Sequence, residues 1–271
     1  MFFRKLLYLV IISFLAFGCS GYEKVLKSTD VDLKYRKALE YYNKKDWGRA
    51  MTILEQITLV TRGTRRNDTV LFYLANCYFE ENDYILAADQ YKNFTRIYAN
   101  SHFAEDAEFM TGYCHYMMSP RPSLDQSETM QAIDAFRLFL SRYPLSTKIG
   151  EARDLITEMN EKLVNKSYLS AKLYFNLGDY KASIIALNNS LNKYPDTKYR
   201  EEMMFLILKS NYLLANNSIE SKKRERFQAT LDEYYSFISE FPNSEYKKDV
   251  EKIYETSLKE LKLDKTVSDI N

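Results

Sequence analysis

Of the residues that most often do chemistry, this 271-residue chain offers two histidines, three cysteines and seven glycines. His102 and His115 stand thirteen positions apart, outside the H-E-x-x-H spacing that sets two imidazoles on one helix face, so no metal site is expected. His102 reads as a solvated first-turn residue and His115 as a packing residue. The carboxylate pairs Glu80-Glu81 and Glu201-Glu202 read as solvated helix faces, because general acid and base work needs a burial-shifted pair turned into one cleft. Neither a dinucleotide-binding G-x-G-x-x-G, nor a phosphate-cradling G-x-x-x-x-G-K, nor a nucleophile elbow G-x-S-x-G occurs. The chain therefore reads as a binding protein without a cofactor, not as an enzyme.

Charge excludes another class. Lys and Arg total 38 against 37 acidic residues. Losing Arg4 and Lys5 with the leader described next leaves 36 basic and 37 acidic residues, so nothing supplies the basic surface that nucleic acid demands. The basic run at Lys222 to Arg226 is broken by Glu225 and reads as surface.

The first residues form an address. Arg4 and Lys5 precede the twelve apolar residues Leu6 to Phe17, which end at Gly18-Cys19. As a helix, that run spans about 18 Å against a hydrocarbon core of roughly 30 Å, the dimensions of a secretory signal and not of a permanent membrane span. Gly-Cys at its end resembles a bacterial lipobox, with Ala16 and Phe17 before it, which makes Cys19 the lipidated residue of the mature chain. Ser20 is not the Asp that retains some lipoproteins at the inner membrane, so the periplasmic face of the outer membrane is expected. The stretch from Ser20 to Asp30 reads as an extended tether, reaching at most about 36 to 40 Å.

The elements come from a phrase written four times: Tyr98-Ala-Asn-Ser101, Tyr143-Pro-Leu-Ser146, Tyr194-Pro-Asp-Thr197 and Phe241-Pro-Asn-Ser244. An aromatic residue closes one helix, a breaker follows in three of the four, and a Ser or Thr can cap the next helix. Twelve positions before each second residue of the phrase stands a small residue, with a large apolar one four later: Ala87 and Tyr91, Ala132 and Phe136, Ser183 and Leu187, Thr230 and Tyr234; Ala50 and Leu54 fit the same frame. First helices carry Ala38, Ala75, Gly112 and Ala171 with an aromatic or His three residues on, and Lys45-Asp46, Asn82-Asp83 and Gly178-Asp179 mark turns. This is the tetratricopeptide pattern, and it predicts an all-α tetratricopeptide-repeat superhelix of about five helical hairpins.

The small positions recur after 37, 45, 51 and 47 residues, longer than the ideal of about 34. The excess predicts a loop at 118–128, a lengthened linking helix within 147–177 between repeats 3 and 4, interrupted near Asn165, and an insertion near 215–223. Domain organisation follows: signal peptide 1–18, lipidated tether 19–30, an N-terminal array 31–146, a C-terminal array 147–263 and a polar tail 264–271. Cys77 and Cys114 fall at one position of successive first helices, where a bridge and plain apolar packing both fit.

First helices line the concave wall of such arrays. Here the outward positions hold Tyr35, Tyr42, Phe72, Asn76, Phe79, Phe109, Tyr113 and Tyr116, which suits an extended or strand-like peptide unless another segment of the chain covers them.

Gly18-Cys19, the stretch Ser123 to Ser146 with its DQSET phrase, and Phe175 to Tyr199 together resemble the BamD family, the tetratricopeptide lipoproteins of the outer-membrane β-barrel assembly (BAM) machine. The resemblance implies an array anchored at the outer membrane that receives unfolded outer-membrane proteins on its N-terminal repeats. It further implies that the C-terminal repeats dock on the barrel subunit BamA beside other components of the complex, with Asp196, Lys198 and Arg200 as docking candidates. Two rivals share parts of the pattern: a glycan-binding lipoprotein of the SusD kind, which needs a large non-repeat region this chain has no room for, and a periplasmic repeat adaptor for cell-envelope or peptidoglycan proteins, which lacks the DQSET insertion.

Overall fold

The computed structural model describes residues 19–268, and the signal segment 1–18, the side chains of 19–20 and 262–268 and the last three residues lie outside what it describes. Among the described residues there are twelve helices: α1 (Cys19–Lys27), α2 (Val31–Asn43), α3 (Trp47–Thr58), α4 (Asn67–Glu80), α5 (Tyr84–Ile97), α6 (Ala104–Met118), α7 (Ser127–Arg142), α8 (Ile149–Asn176), α9 (Tyr180–Lys193), α10 (Arg200–Asn216), α11 (Glu220–Glu240) and α12 (Lys247–Ser268). From α2 to α11 they pair into five antiparallel hairpins, as the repeat pattern predicts. The chain divides into two compact units, 1–120 with 126–159, and 121–125 with 160–271.

Turns within hairpins follow the sequence. Lys45, Asn82 and Gly178 take positive φ (60°, 62° and 78°), and the Asp after each opens the next helix. Asp83 and Asp179 accept from the backbone N–H groups of Leu86 and Ala182, satisfying otherwise orphaned donors. Asp46 instead holds Arg49 at 3.0 Å.

The small-and-large frame is the core. Ala50, Leu54, Ala87, Tyr91, Ala132, Phe136, Ser183 and Leu187 are fully buried. In the fifth repeat Thr230 is buried, but Tyr234 lies half-exposed and stacks on Tyr254, and Phe227, Leu231 and Phe237 fill the interior instead. Where Phe136 meets the first helix of its own hairpin, Gly112 leaves it room: a Cβ there would lie 2.9 Å from the Phe136 ring.

Three expectations change. Residues 19–27 form a helix and not an extended tether, because Val25 is buried and Tyr22 and Leu26 pack on the first hairpin. α8 runs through Asn165 unbroken, since no residue there removes a backbone donor. The excess of the fifth repeat goes into longer helices, with only residues 217–219 between α10 and α11.

A regularity unseen in the sequence fastens one hairpin to the next. The Ser or Thr of each junction accepts a hydrogen bond from the backbone N–H two residues on: Phe103 to Ser101 (3.3 Å), Lys148 to Ser146 (3.0 Å), Tyr199 to Thr197 (3.2 Å) and Tyr246 to Ser244 (3.0 Å). Thr64 serves Arg66 in the same way at 3.3 Å. That fixed residue then lies over a ring of the preceding first helix. In the first unit Arg66 sits over Tyr35 (5.4 Å), Phe103 stacks on Phe72 (4.3 Å) and Lys148 sits over Phe109 (4.9 Å). In the second, Tyr199 stacks on Tyr168 (4.2 Å) and Tyr246 on Phe205 (4.3 Å). Aromatic pairs contribute about 0.5–1.5 kcal/mol beyond area burial, and a cation over a ring about 0.5–1 kcal/mol at exposed sites.

Gly112→Ala tests the close approach. On an open helix the change would stabilise by about 1 kcal/mol through propensity. Here overpacking against Phe136, at about 1–3 kcal/mol, outweighs that gain, so the urea midpoint should fall. A rise would show that α6 and α7 do not meet as described.

Candidate functional site

The wall residues do not form one surface. Tyr35, Phe72 and Phe109 are the rings used in the inter-hairpin stacks, and Phe72 and Phe109 are only 8% and 4% exposed. Phe109 also meets Phe136 and Phe139 at 5.5 and 5.4 Å. Phe72 and Phe109 are thus withdrawn as peptide contacts, and Tyr35 is already covered on one face by Arg66. The sequence missed their partners because each lies 31 or more positions downstream.

Tyr42 and Asn76 form a second internal link. Asn76 donates from Nδ2 to the Tyr42 hydroxyl at 3.0 Å and accepts from the Tyr91 hydroxyl through Oδ1. Burial pushes the Tyr91 phenol far above its ordinary value, so it stays a donor. Asn76 therefore has both ends of its amide engaged across α2, α4 and α5. The Tyr42 ring packs edge-on against Tyr73 (4.5 Å) and Trp47 (4.9 Å).

What stays open is a shorter ladder on α4 and α6. Phe79 meets Tyr84 at 5.4 Å and Tyr113 at 5.9 Å, and Tyr113 stacks on Tyr116 at 5.6 Å. All four rings are half-buried, leaving surface on each. Tyr116 donates to the Glu158 carboxylate at 3.2 Å. Burial first, and that carboxylate second, push its phenol up. The ladder thus offers adjoining ring faces with a carboxylate at one end, suited to an extended segment whose alternate side chains are apolar.

In the second unit, Asp196 and Lys198 are exposed beside an open concavity of about 770 Å³ lined by Pro195, Thr197, Glu240 and Phe241. Lys198 reaches Glu161 at 3.3 Å, a solvated pair that contributes little. Arg200 differs: its guanidinium forks onto Glu240, with Nη2 to Oε2 at 2.9 Å, and also meets the Pro195 carbonyl at 3.2 Å. Arg200 is committed inside the fold, which leaves Asp196 and Lys198 available.

The DQSET phrase also acts structurally. Glu128 Oε2 lies 2.7 Å from His115 Nδ1, the Thr129 hydroxyl bonds Ser119 at 2.6 Å, and it donates to Gln126 Oε1 at 2.7 Å. These contacts pin the loop between α6 and α7 at both ends. His102 lies against the Phe103 ring. Cys77 and Cys114 are free and buried. Among the described residues no group of His, Cys, Asp and Glu has metal-binding geometry, and no helix is long and apolar enough to cross a membrane.

The model of the YfiO family, described as outer membrane lipoprotein, matches residues 28–227, well over half of the chain. The chain belongs to this family. Two curated relatives agree with the assignment. One, the outer membrane protein assembly factor BamD of Caulobacter vibrioides, is 21% identical over 210 residues, covering 76% of this chain and 68% of the relative. The other, the putative outer membrane protein assembly factor BamD of Aquifex aeolicus, is 25% identical over 224 residues, covering 80% and 71%. Among solved structures, the TPR2AB domain of yeast Sti1 in its pHSP90 complex is 12% identical, with a TM-score of 0.39 over 84% of this chain and 98% of that one, a distant likeness that adds nothing to the assignment. The family match spans the DQSET loop, the α4–α6 ladder and the Asp196–Arg200 segment, while Glu240 and Phe241 lie beyond it.

Burial pushes both internal thiols up to about 12, and the thiolate is the reactive form. Native protein at mildly alkaline pH should therefore leave Cys77 and Cys114 unlabelled by a thiol reagent that labels both in urea. Fast labelling of folded protein, or a Cys77–Cys114 bridge found by peptide mapping, would contradict this placement.

Proposed function

We propose that the protein is an outer-membrane protein assembly factor: a lipoprotein scaffold, held through Cys19 at the periplasmic face of the outer membrane, that receives unfolded outer-membrane proteins and docks on the barrel subunit of the same machine. Membership of the YfiO family and the names of the two BamD relatives support the general role. The observation that carries the finer reading is the Phe79–Tyr113–Tyr116 ladder, where three rings adjoin without being consumed by the inter-hairpin stacks. An unfolded barrel strand alternates apolar and polar side chains, so its apolar face can lie across such rings while its polar face stays wet. Binding here needs no bond making, which fits a holder and not a catalyst.

Docking is assigned to the exposed Asp196 and Lys198 beside the concavity at Pro195 and Phe241. Opposite charges at the rim of a largely polar concavity fix orientation more than they add affinity. Arg200, turned onto Glu240, holds the junction that presents them.

Photoreactive residues at Phe79 and Tyr113 should form adducts with precursor barrel proteins, and one at Lys198 with the barrel subunit, whereas one at the exposed Leu138 of α7 should form neither. Replacing Tyr113 and Tyr116 together by Ala should weaken precursor binding by about tenfold or more, since two ring contacts of about 1 kcal/mol each are lost. Equal labelling at Leu138, or unchanged affinity of the double variant, would remove the ladder from the account.

A further inference from the structure

The first helix fixes which edge of the first unit the chain's N-terminus leaves from. Tyr22 of α1 packs edge-on against Tyr41 at 5.6 Å and lies under the Arg49 guanidinium at 5.4 Å. Tyr41 belongs to the last turn of α2 and Arg49 to the first turn of α3, so the start of α1 lies beside the turn joining them. Buried Val25 locks α1 in that direction. The helix begins three residues before Tyr22, about 4.5 Å of helical rise, so the chain enters α1 at the hairpin-turn edge.

That same edge carries exposed apolar side chains beside two partly packed rings. Trp47, the only tryptophan of the chain, opens α3 directly after the first turn and is half-buried. Tyr84, Ile85 and Leu86 open α5 directly after the second turn, with Ile85 72% and Leu86 42% exposed. The two turns adjoin: a Cβ on Gly48 would lie 3.7 Å from the Glu81 carboxylate. Exposed apolar residues also occur at the opposite ends of these helices, at Leu59, Val60 and Ile97. They stand a helix length away, about 20 Å from the turns, and Leu59 and Val60 are followed by Arg62 and Arg65.

We propose that the hairpin-turn edge of the first unit, centred on Trp47, Ile85 and Leu86, rests on the phospholipid surface of the membrane in which Cys19 is anchored. The proposal builds on the lipid-anchor reading of Cys19. Tryptophan and tyrosine settle at the headgroup level because one part of the ring is apolar and the other donates a hydrogen bond. Short aliphatic side chains beside them add burial without the length needed to span. Of the charges at the edge, Glu40 is held by Lys37 and Lys44, and Asp46 by Arg49, while Lys45, Glu80, Glu81 and Asp83 stand exposed in the two turns. Contact with the membrane is therefore apolar and anchor-driven, because the edge has no basic surplus to draw it to anionic lipid. With the turn edge down, the ladder on α4 and α6 is held at a set height over the bilayer, beside the surface into which barrels insert.

The test uses the full-length mature lipoprotein in vesicles of zwitterionic phospholipid brominated high on the acyl chains. Trp47 is the sole emitter of its kind, and the burial of Cys77 and Cys114 makes an introduced cysteine selectively labelled. Trp47 emission should fall on vesicle binding, and an environment-sensitive probe at Ile85→Cys should shift to the blue while one at Leu59→Cys does not. Adding anionic lipid should strengthen neither response. An acylated chain that floats with vesicles yet keeps its Trp47 emission overturns the edge assignment alone, as does a response at Leu59→Cys in place of Ile85→Cys. Absence of acyl mass on Cys19 together with loss of flotation overturns the anchor reading and the edge with it.

Discussion

The structure depends on a hydroxyl that fixes the backbone two residues downstream. At five junctions a Ser or Thr accepts that N–H, and the side chain so placed lies over a ring of the previous first helix. Each contact is modest, about 1 kcal/mol, but each sets the register of one hairpin on the next, and the buried small-and-large pairs can mesh only in that register. Where the ring partner is missing a cation replaces it: Arg66 over Tyr35 and Lys148 over Phe109. Lys148 also binds Asp106, so the third junction is held by charge as well as by the ring.

This constraint explains which aromatic residues remain for binding. A first-helix ring can be stacked on the next junction or offered to a ligand, not both. Tyr35, Phe72 and Phe109 are spent on the fold, and one to two turns further along α4 and α6 Phe79, Tyr113 and Tyr116 are left in a row. The amide of Asn76, which looked like a handle for a peptide backbone, instead joins two tyrosine hydroxyls across three helices. The proposed binding face is therefore the part of a regular packing scheme that the scheme leaves unused.

The hairpins were legible in the sequence because their signals are local: a breaker, a cap and a turn residue act within a few positions. The buried frame was legible because it repeats. What could not be read was the division of one helix face between packing and binding, since that depends on residues such as Phe103 and Lys148, 31 and 39 positions from the rings they cover. The helical state of residues 19–27 was hidden for a like reason: nine residues hold a helix only when a hairpin such as the one bearing Tyr41 and Arg49 receives them. The DQSET phrase pointed to the right family, and its Gln126, Glu128 and Thr129 side chains pin a loop.

The central claim is that these hairpins form a scaffold that holds other proteins in outer-membrane assembly. The most direct measurement is to purify the tagged lipoprotein from membranes in mild detergent and identify what accompanies it. The account predicts a barrel-forming assembly subunit in near-equal amount. Recovery of the protein alone, or with peptidoglycan-handling partners in place of that subunit, would contradict it.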